Sequence, residues 1–486
     1  MPSVGKQGTI VKYEAVIGLE VHAQLLTKTK IFCGCGSVFG AGPNTLGCPV
    51  CLGLPGALPV LNRATVEMAL RMGLAVGCDI APQSIFARKN YFYPDLPKGY
   101  QISQYDLPVC KNGHLDINVD GTEKRIGITR IHLEEDAGKL VHDQDDDTLF
   151  DVNRCGTPLI EIVSEPDLRS AREAYAYLTG LKQILEYLEV CDCNMEEGSL
   201  RCDANISLRP VGQRTLGTKT ELKNMNSFRN VEKAIEYEIF RQREILDAGG
   251  VIEQQTYLWD ADTGRTSPMR SKEDAHDYRY FPEPDLLPLV IDAVMIDTAT
   301  KRAIELPAAR RARFVDHYRL TAEHADVLTQ SRRVADYYEA TVASGAGERP
   351  AATWVMGDVL RVAKEKKCGP DALNVTPKRL AALLSMIDAG TISTSAGKTV
   401  FEAMERENAE PAAAIGTLDL AQVSDSSELE KVMRDILEKN PREVERFKAG
   451  DAKLQAFFVG QAMKATRGKG NPRQINRIFS ELMGRA

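Results

Sequence analysis

A carboxylate stands in the middle of an apolar run at Pro158-Leu159-Ile160-Glu161-Ile162-Val163-Ser164. A charge there is costly unless it is paired or bound to a metal, which makes Glu161 the most conspicuous acid of the chain. Two other segments carry acids beside histidine, Gly18-Leu19-Glu20-Val21-His22 and His132-Leu133-Glu134-Glu135-Asp136. Side chains alternate along a strand, so Glu20 and His22 share one face. Several strand-borne acids with a histidine suit Mg²⁺, a hard ion that prefers oxygen ligands and phosphate partners. Salt bridges to the many nearby arginines fit the same pattern equally well, so the residues alone leave both readings open.

Four of the eleven cysteines lie within nineteen residues, as Cys33-Gly34-Cys35 and Cys48-Pro49-Val50-Cys51. Two close pairs flanked by glycine predict a structural zinc site held by four thiolates. A redox role fits less well, since Cys48-x-x-Cys51 lacks a strand–helix context. Cys191 and Cys193 form another close pair with no second pair nearby and read as ordinary cysteines. The stretches Arg88-Lys89-Asn90-Tyr91-Phe92-Tyr93-Pro94-Asp95 and His276-Asp277-Tyr278-Arg279-Tyr280-Phe281-Pro282 mix cations with aromatic rings. Either could bind phosphate or a nucleotide base, and either could be a packed surface loop. Gly397-Lys398-Thr399 resembles the end of a phosphate-binding loop, but Ile392 occupies the position of its first glycine.

Three textures divide the chain that must position these groups. Residues 1–293 are rich in Gly and Pro, with period-two runs punctuated by Asn112-Gly113 and Asp120-Gly121, which read as hairpins of a largely antiparallel sheet. Two helices interrupt them. One opens at the capping box Ser170-Ala171-Arg172-Glu173 and puts Leu178, Leu181 and Leu185 on one face. The other follows Ser227 and stops at Gly249-Gly250. Residues 294–405 shift to a helical period, with helices expected at 308–318, 331–343, 352–366 and 377–389. Residues 406–486 form a third, small helical region. Its last 36 residues carry seven Lys or Arg against two acids, although the whole chain has a net charge of -7. An overall acidic chain can still bind RNA through such a local patch.

Composition is ordinary for a globular chain of 486 residues, with 43% apolar and 27% charged residues. No apolar stretch approaches the roughly 20 residues that a membrane span needs. The first fifteen residues lack a signal-peptide pattern, so the expected location is the cytoplasm.

Long strings of this sequence resemble the GatB family, the B subunits of tRNA-dependent amidotransferases. They include Val16-Ile-Gly-Leu-Glu-Val-His22, Arg88 to Asp95, Tyr100-Gln-Ile-Ser-Gln104, Glu134-Glu-Asp-Ala-Gly-Lys139 and Pro158 to Asp167. Further matches are Met195 to Ser207, Glu221-Leu-Lys-Asn224, His276 to Asp285 and Lys464 to Pro472. The resemblance implies an α+β fold, with a glutamine-synthetase-like antiparallel-sheet cradle over 1–293 and a zinc-binding insertion at 33–51. A helical domain over 294–405 and a tRNA-binding tail over 406–486 would follow.

It further implies ATP-dependent phosphorylation of the side-chain carboxylate of Glu-tRNA(Gln) or Asp-tRNA(Asn), then amidation by ammonia. Glu20, His22, Glu135 and Glu161 match the family's Mg²⁺ positions, with Glu134 the less favoured neighbour of Glu135. Lys89, Glu135, Arg201, Asp203 and Lys223 match polar residues of the site. Lys464, Arg467, Lys469, Arg473 and Arg477 would grip the tRNA. The chain carries no recognisable glutaminase signature. The implied partners are therefore the amidase, or A, protein and the small C protein of a heterotrimer. A free-standing ligase for a small carboxylate and a non-catalytic zinc-containing tRNA-binding scaffold are the alternatives.

Overall fold

The computed structural model describes residues 11–141, 145–269, 278–302, 304–420, 426–466 and 470–484. It divides into two compact units, one ending at Leu306 and the other starting at Pro307. The first is α+β. Among its described residues a nine-stranded sheet is antiparallel except where Thr220–Lys223 runs parallel to Thr256–Asp260. Its central strand, Tyr13–Gln24, lies between Pro158–Ser164 and Leu200–Pro210. Thr122–Glu135 pairs with the far edge of Pro158–Ser164.

Alternation sorts these strands into an apolar and a polar face. Leu19, Val21, Ile160, Ile162, Ile131, Leu133, Ala204 and Ile206 belong to one buried cluster. Helices Arg63–Ala75, Ala171–Tyr187 and Phe228–Asp247 pack on it. The second of these begins as its sequence requires: Ser170 Oγ accepts the Glu173 amide at 3.2 Å, and Tyr177, Leu178, Leu181 and Leu185 are buried. Ser227 caps the third helix in the same way. A small sheet of Ala87–Asn90, Tyr100–Ser103 and Phe281–Pro282 faces the end of Thr122–Glu135.

The two Gly-containing turn signals differ in outcome. Asp120 (φ +52°) and Gly121 (φ +80°) join Cys110–Val119 to Thr122–Glu135, the two left-handed residues that a tight hairpin needs. Asn112-Gly113 lies inside the first of those strands instead. A Cβ at Gly113 would stand 2.5 Å from Cys78 Sγ, so close packing rather than a chain reversal requires glycine here.

The second unit is helical and contains two separate cores. One gathers Phe314, Tyr338, Val355, Leu380 and Phe401, and the other Met433, Phe458, Ile475 and Phe479. The helix expected over 352–366 is interrupted by a π-helical turn at Val355–Val359, centred on Gly357. Helix Ala293–Lys301 packs on Arg63–Ala75, so the helical texture beginning near residue 294 starts inside the first unit. No helix among the described residues is long and apolar enough to cross a membrane.

Because the cores are separate, Leu181→Ala should cost about 2–5 kcal/mol in the first unit alone. Hydrogen exchange should show faster opening of residues 171–187 with protection over 377–404 unchanged.

Candidate functional site: an acid–histidine cluster and a four-cysteine cluster

The antiparallel register writes one row of polar residues across the open face of the sheet. His22 stands opposite Glu161 on one side and Arg201 on the other, and Glu161 stands opposite His132. Glu20 stands opposite Asp203. His22 Nε2 lies 3.3 Å from Glu161 Oε2 and 3.5 Å from Glu134 Oε1. His132 Nε2 lies 3.4 Å from Glu161 Oε2 and 3.6 Å from Glu134 Oε2. Ser103 Oγ donates to Glu134 at 3.2 Å from the small sheet. The two acids and His132 are buried.

Burial opposes charge on Glu161, Glu134 and His22, and pairing overrides it. Glu161 is held well below the usual carboxylate range, against burial, by His132 and His22. Glu134 is lowered chiefly by its hydrogen bond with His132. Burial disfavours the His22 cation too, but Glu161 and Glu134 push the imidazole up to about 9. The same negative field would favour a divalent cation, whose binding at His22 would displace the proton. Ligand atoms of His22, Glu134 and Glu161 lie within 4.8 Å of one another, so the three can share one ion. A hard ion held this way keeps its other positions for water and phosphate oxygens.

Glu135, expected among these ligands, points the opposite way, as the residue next to Glu134 on a strand must. Its carboxylate is bound by Lys98 Nζ and, at 2.8 Å, by the Ile102 amide. Glu134 is the neighbour whose carboxylate meets His22 and His132. Glu20 shares the polar face, but its carboxylate accepts from Asn205 Nδ2 at 3.0 Å and stands outside the three-ligand group. Burial and the acids Glu161, Asp203 and Glu221 push its pKa up.

A cavity of about 810 Å³ opens over the cluster, lined by Lys89, Arg201, Asp203, Lys223, Tyr91, Phe92 and Tyr278 among others. Lys89 Nζ lies 4.6 Å from the centre of the Tyr278 ring, and Glu134 raises its pKa against burial. Lys223 donates to Asp203 and, at 2.9 Å, to Glu221. Arg201 grips Asp136 with both terminal nitrogens, at 2.8 and 3.1 Å, and Gln24 Nε2 donates to the same carboxylate. Lys89, Arg201, Asp203 and Lys223, which the family resemblance named, all line this cavity, and the resemblance gave no role to His132, Asp136 or Lys98. Only His132 carried a usable signal, its two-residue spacing from Glu134.

Behind this face, Cys51 Sγ lies 3.5 Å from Cys48, 3.9 Å from Cys33 and 4.0 Å from Cys35. Four ligands about 2.3 Å from a tetrahedral ion stand about 3.8 Å apart, so the four cysteines fit zinc. Cys51 is the natural thiolate, held down by hydrogen bonds from Cys33 and the Cys48 amide and by the Lys30 charge. Lys30 is fully buried, its Nζ 2.6 Å from Leu46 O and 3.7 Å from Cys51 Sγ. A buried lysine needs a nearby anion, and a zinc-bound tetrathiolate supplies one.

In the second unit, Lys464 ends helix Leu454–Ala465, and Arg473 and Arg477 lie on Pro472–Leu482, whose apolar face buries Ile475 and Phe479. All three cations are exposed. Arg467 and Lys469, and with them the His276-Asp277 end of the second aromatic stretch, lie outside the described residues.

Comparison with known proteins decides the kinship. Residues 15–297 match the GatB/GatE catalytic domain, and residues 336–483 match the GatB domain. The chain belongs to the GatB/GatE family. The B subunit of the aspartyl/glutamyl-tRNA(Asn/Gln) amidotransferase from Geotalea daltonii is 57% identical, across 96% of this chain and 99% of that one. The proteins of the same description from Geobacter sulfurreducens and Chlorobium chlorochromatii are 56% and 55% identical. They are covered over 100% and 98% of their lengths, with 97% and 96% of this chain. The matched catalytic segment contains both clusters, and the second segment contains the basic helices.

Two outcomes should follow. Cys51→Ser should lose the zinc by metal analysis and leave Lys30 without its anion, costing about 3 kcal/mol or more. Glu134→Gln should weaken Mn²⁺ binding, read by electron paramagnetic resonance, by about tenfold or more, whereas Glu135→Gln should leave it close to the parent.

Proposed function

We propose that this chain is the B subunit of an aspartyl/glutamyl-tRNA(Asn/Gln) amidotransferase. It would activate the side-chain carboxylate of Glu on tRNA(Gln) or Asp on tRNA(Asn) with ATP and convert it to the amide. The observation that carries the chemistry is the His22–Glu134–Glu161 cluster at the base of a cavity lined by Lys89, Arg201 and Lys223. Near-full-length likeness to B subunits supports the substrate assignment.

A carboxylate is a poor acyl donor because its leaving group would be an oxide. In the proposed reaction one carboxylate oxygen bonds to the γ-phosphorus while the bond from that phosphorus to the ADP oxygen breaks. Ammonia then bonds to the acyl carbon, the carbon–oxygen bond to phosphate breaks, and a proton leaves nitrogen. The products are the amide, ADP and phosphate. Bound Mg²⁺ would supply charge neutralisation for the phosphates. His22, Glu134 and Glu161 are the residues placed to hold it, with Glu20 on the same face. Lys89, Arg201 and Lys223 would offset negative charge building on the transferring group, where fixed cations act most strongly. Asp203 aims Lys223, and Asp136 aims Arg201.

The remaining parts have complementary roles. The four cysteines would hold a structural zinc, and the basic helices at Lys464, Arg473 and Arg477 would contact the tRNA backbone. Ammonia would come from the amidase (A) protein, and the small C protein would complete a heterotrimer.

The test is ATP turnover by the assembled complex with Glu-tRNA(Gln), Asp-tRNA(Asn) or free Glu. Glu161→Gln should lower acyl-phosphate formation about 10²–10³-fold while tRNA binding is retained. Turnover with free Glu alone would sink the amidotransferase assignment. Retained tRNA binding with no ATP use by the parent complex would make the chain a scaffold.

A further inference from the structure

Phe92 is a large apolar residue in the lining of a cavity rich in charged side chains. The residue is among those lining the space above the acid–histidine cluster, yet it is 85% exposed. Tyr91, Tyr93 and Tyr278 line the same space, as do the cations Lys89 and Arg279.

This wall is held in place rather than loosely draped. Asn90 Nδ2 donates to Arg279 O at 2.8 Å, and the Asn90 amide donates to Tyr278 O at 2.9 Å. Beyond Phe92 the chain turns back through Leu96 N to Tyr93 O and Gly99 N to Leu96 O, both 3.0 Å. Gly99 takes φ +73°, and a Cβ there would stand 3.1 Å from Phe92 Cε1. Glycine therefore lets the backbone meet the ring from one side, while the residue's exposure leaves the rest of the ring uncovered beside the cavity it helps to line. A ring so exposed adds little to the core, and its truncation should scarcely alter stability.

We propose that Phe92 is a stacking platform for an adenine base. Aromatic faces accept bases by stacking, and neighbouring cations receive the attached phosphates. The proposal rests on the function given above, whose reaction brings adenine to this cavity from two sources. One is ATP. The other is the terminal adenosine of the charged tRNA, whose ribose carries the aminoacyl ester and so places its base beside the reacting carboxylate.

The experiment uses the assembled complex carrying Phe92→Ala or Phe92→Trp. KM is measured for ATP at saturating aminoacyl-tRNA and for aminoacyl-tRNA at saturating ATP. Phe92→Ala should raise one KM by about 5- to 100-fold with little change in kcat, and Phe92→Trp should restore it. A rise for ATP assigns the nucleotide's adenine, and a rise for aminoacyl-tRNA assigns the terminal adenosine. In the second case a tRNA ending in 2-aminopurine should be quenched on binding the parent complex and not on binding the Ala variant. Unchanged KM values for both substrates overturn the platform. So does failure of the Ala variant to assemble with its partner proteins, which would place the ring in an interface between them. If the parent complex itself turns over neither charged tRNA, the functional assignment fails instead.

Discussion

Glu161 is buried in the strand that carries it, and an unpaired charge there would cost several kcal/mol. The antiparallel register meets that cost from both sides, with His22 from the central strand and His132 from the next one. Neither imidazole could do so if its strand slipped by one residue, because each would then point into the apolar core. The same slip would expose Val21 or Ile131. Packing of the apolar face and pairing of the polar one therefore enforce a single register, and the site inherits its geometry from that agreement.

Three consecutive acids show how the register distributes charge. Glu134 and Asp136 both line the cavity, where one meets the histidines and the other clamps Arg201. Glu135 between them serves Lys98 and the Ile102 amide on the other side. Each has a separate cationic or hydrogen-bonding partner, which relieves the repulsion that three adjacent carboxylates would otherwise carry. The cavity thus gains alternating charge, with acids near the histidines and cations positioned by further acids around them.

Features set by chain-local chemistry were legible in the sequence. Ser170 and Ser227 announce helix starts, Asp120-Gly121 a hairpin, and Glu20 with His22 a shared face. Two close cysteine pairs indicate a metal cluster. Choices that depend on distant strands were not. Whether Glu134 or Glu135 faces the cluster is decided by which one meets His22 and His132 across the sheet, and no local pattern separates two adjacent acids. Asn112-Gly113 carries the same turn signal as Asp120-Gly121, but its glycine answers to Cys78, 35 residues away. The pairing of Asp136 with Arg201 spans 65 residues and leaves no local pattern.

The cysteine cluster enters this argument through what it touches. Between Gln24 and Arg63 the chain has no helix or long strand, and Leu25, Ile31 and Phe32, its buried residues in the main core, all lie in its first part. The segment is also joined to residues 150–158. Asn44 Nδ2 donates to Phe150 O, the Leu46 amide to Asn153 Oδ1, Lys30 Nζ to Val152 O and the Ile31 amide to Gly156 O. Those residues lead directly into Pro158–Ser164, the strand that carries Glu161. A zinc ion closing four thiolates would remove conformational freedom from a segment that has no regular secondary structure. Its structural contribution then falls on the entry to the strand whose register the whole cavity needs. The two clusters are chemically distinct, one of four thiolates and the other of carboxylates with histidine, and both bear on the same piece of chain.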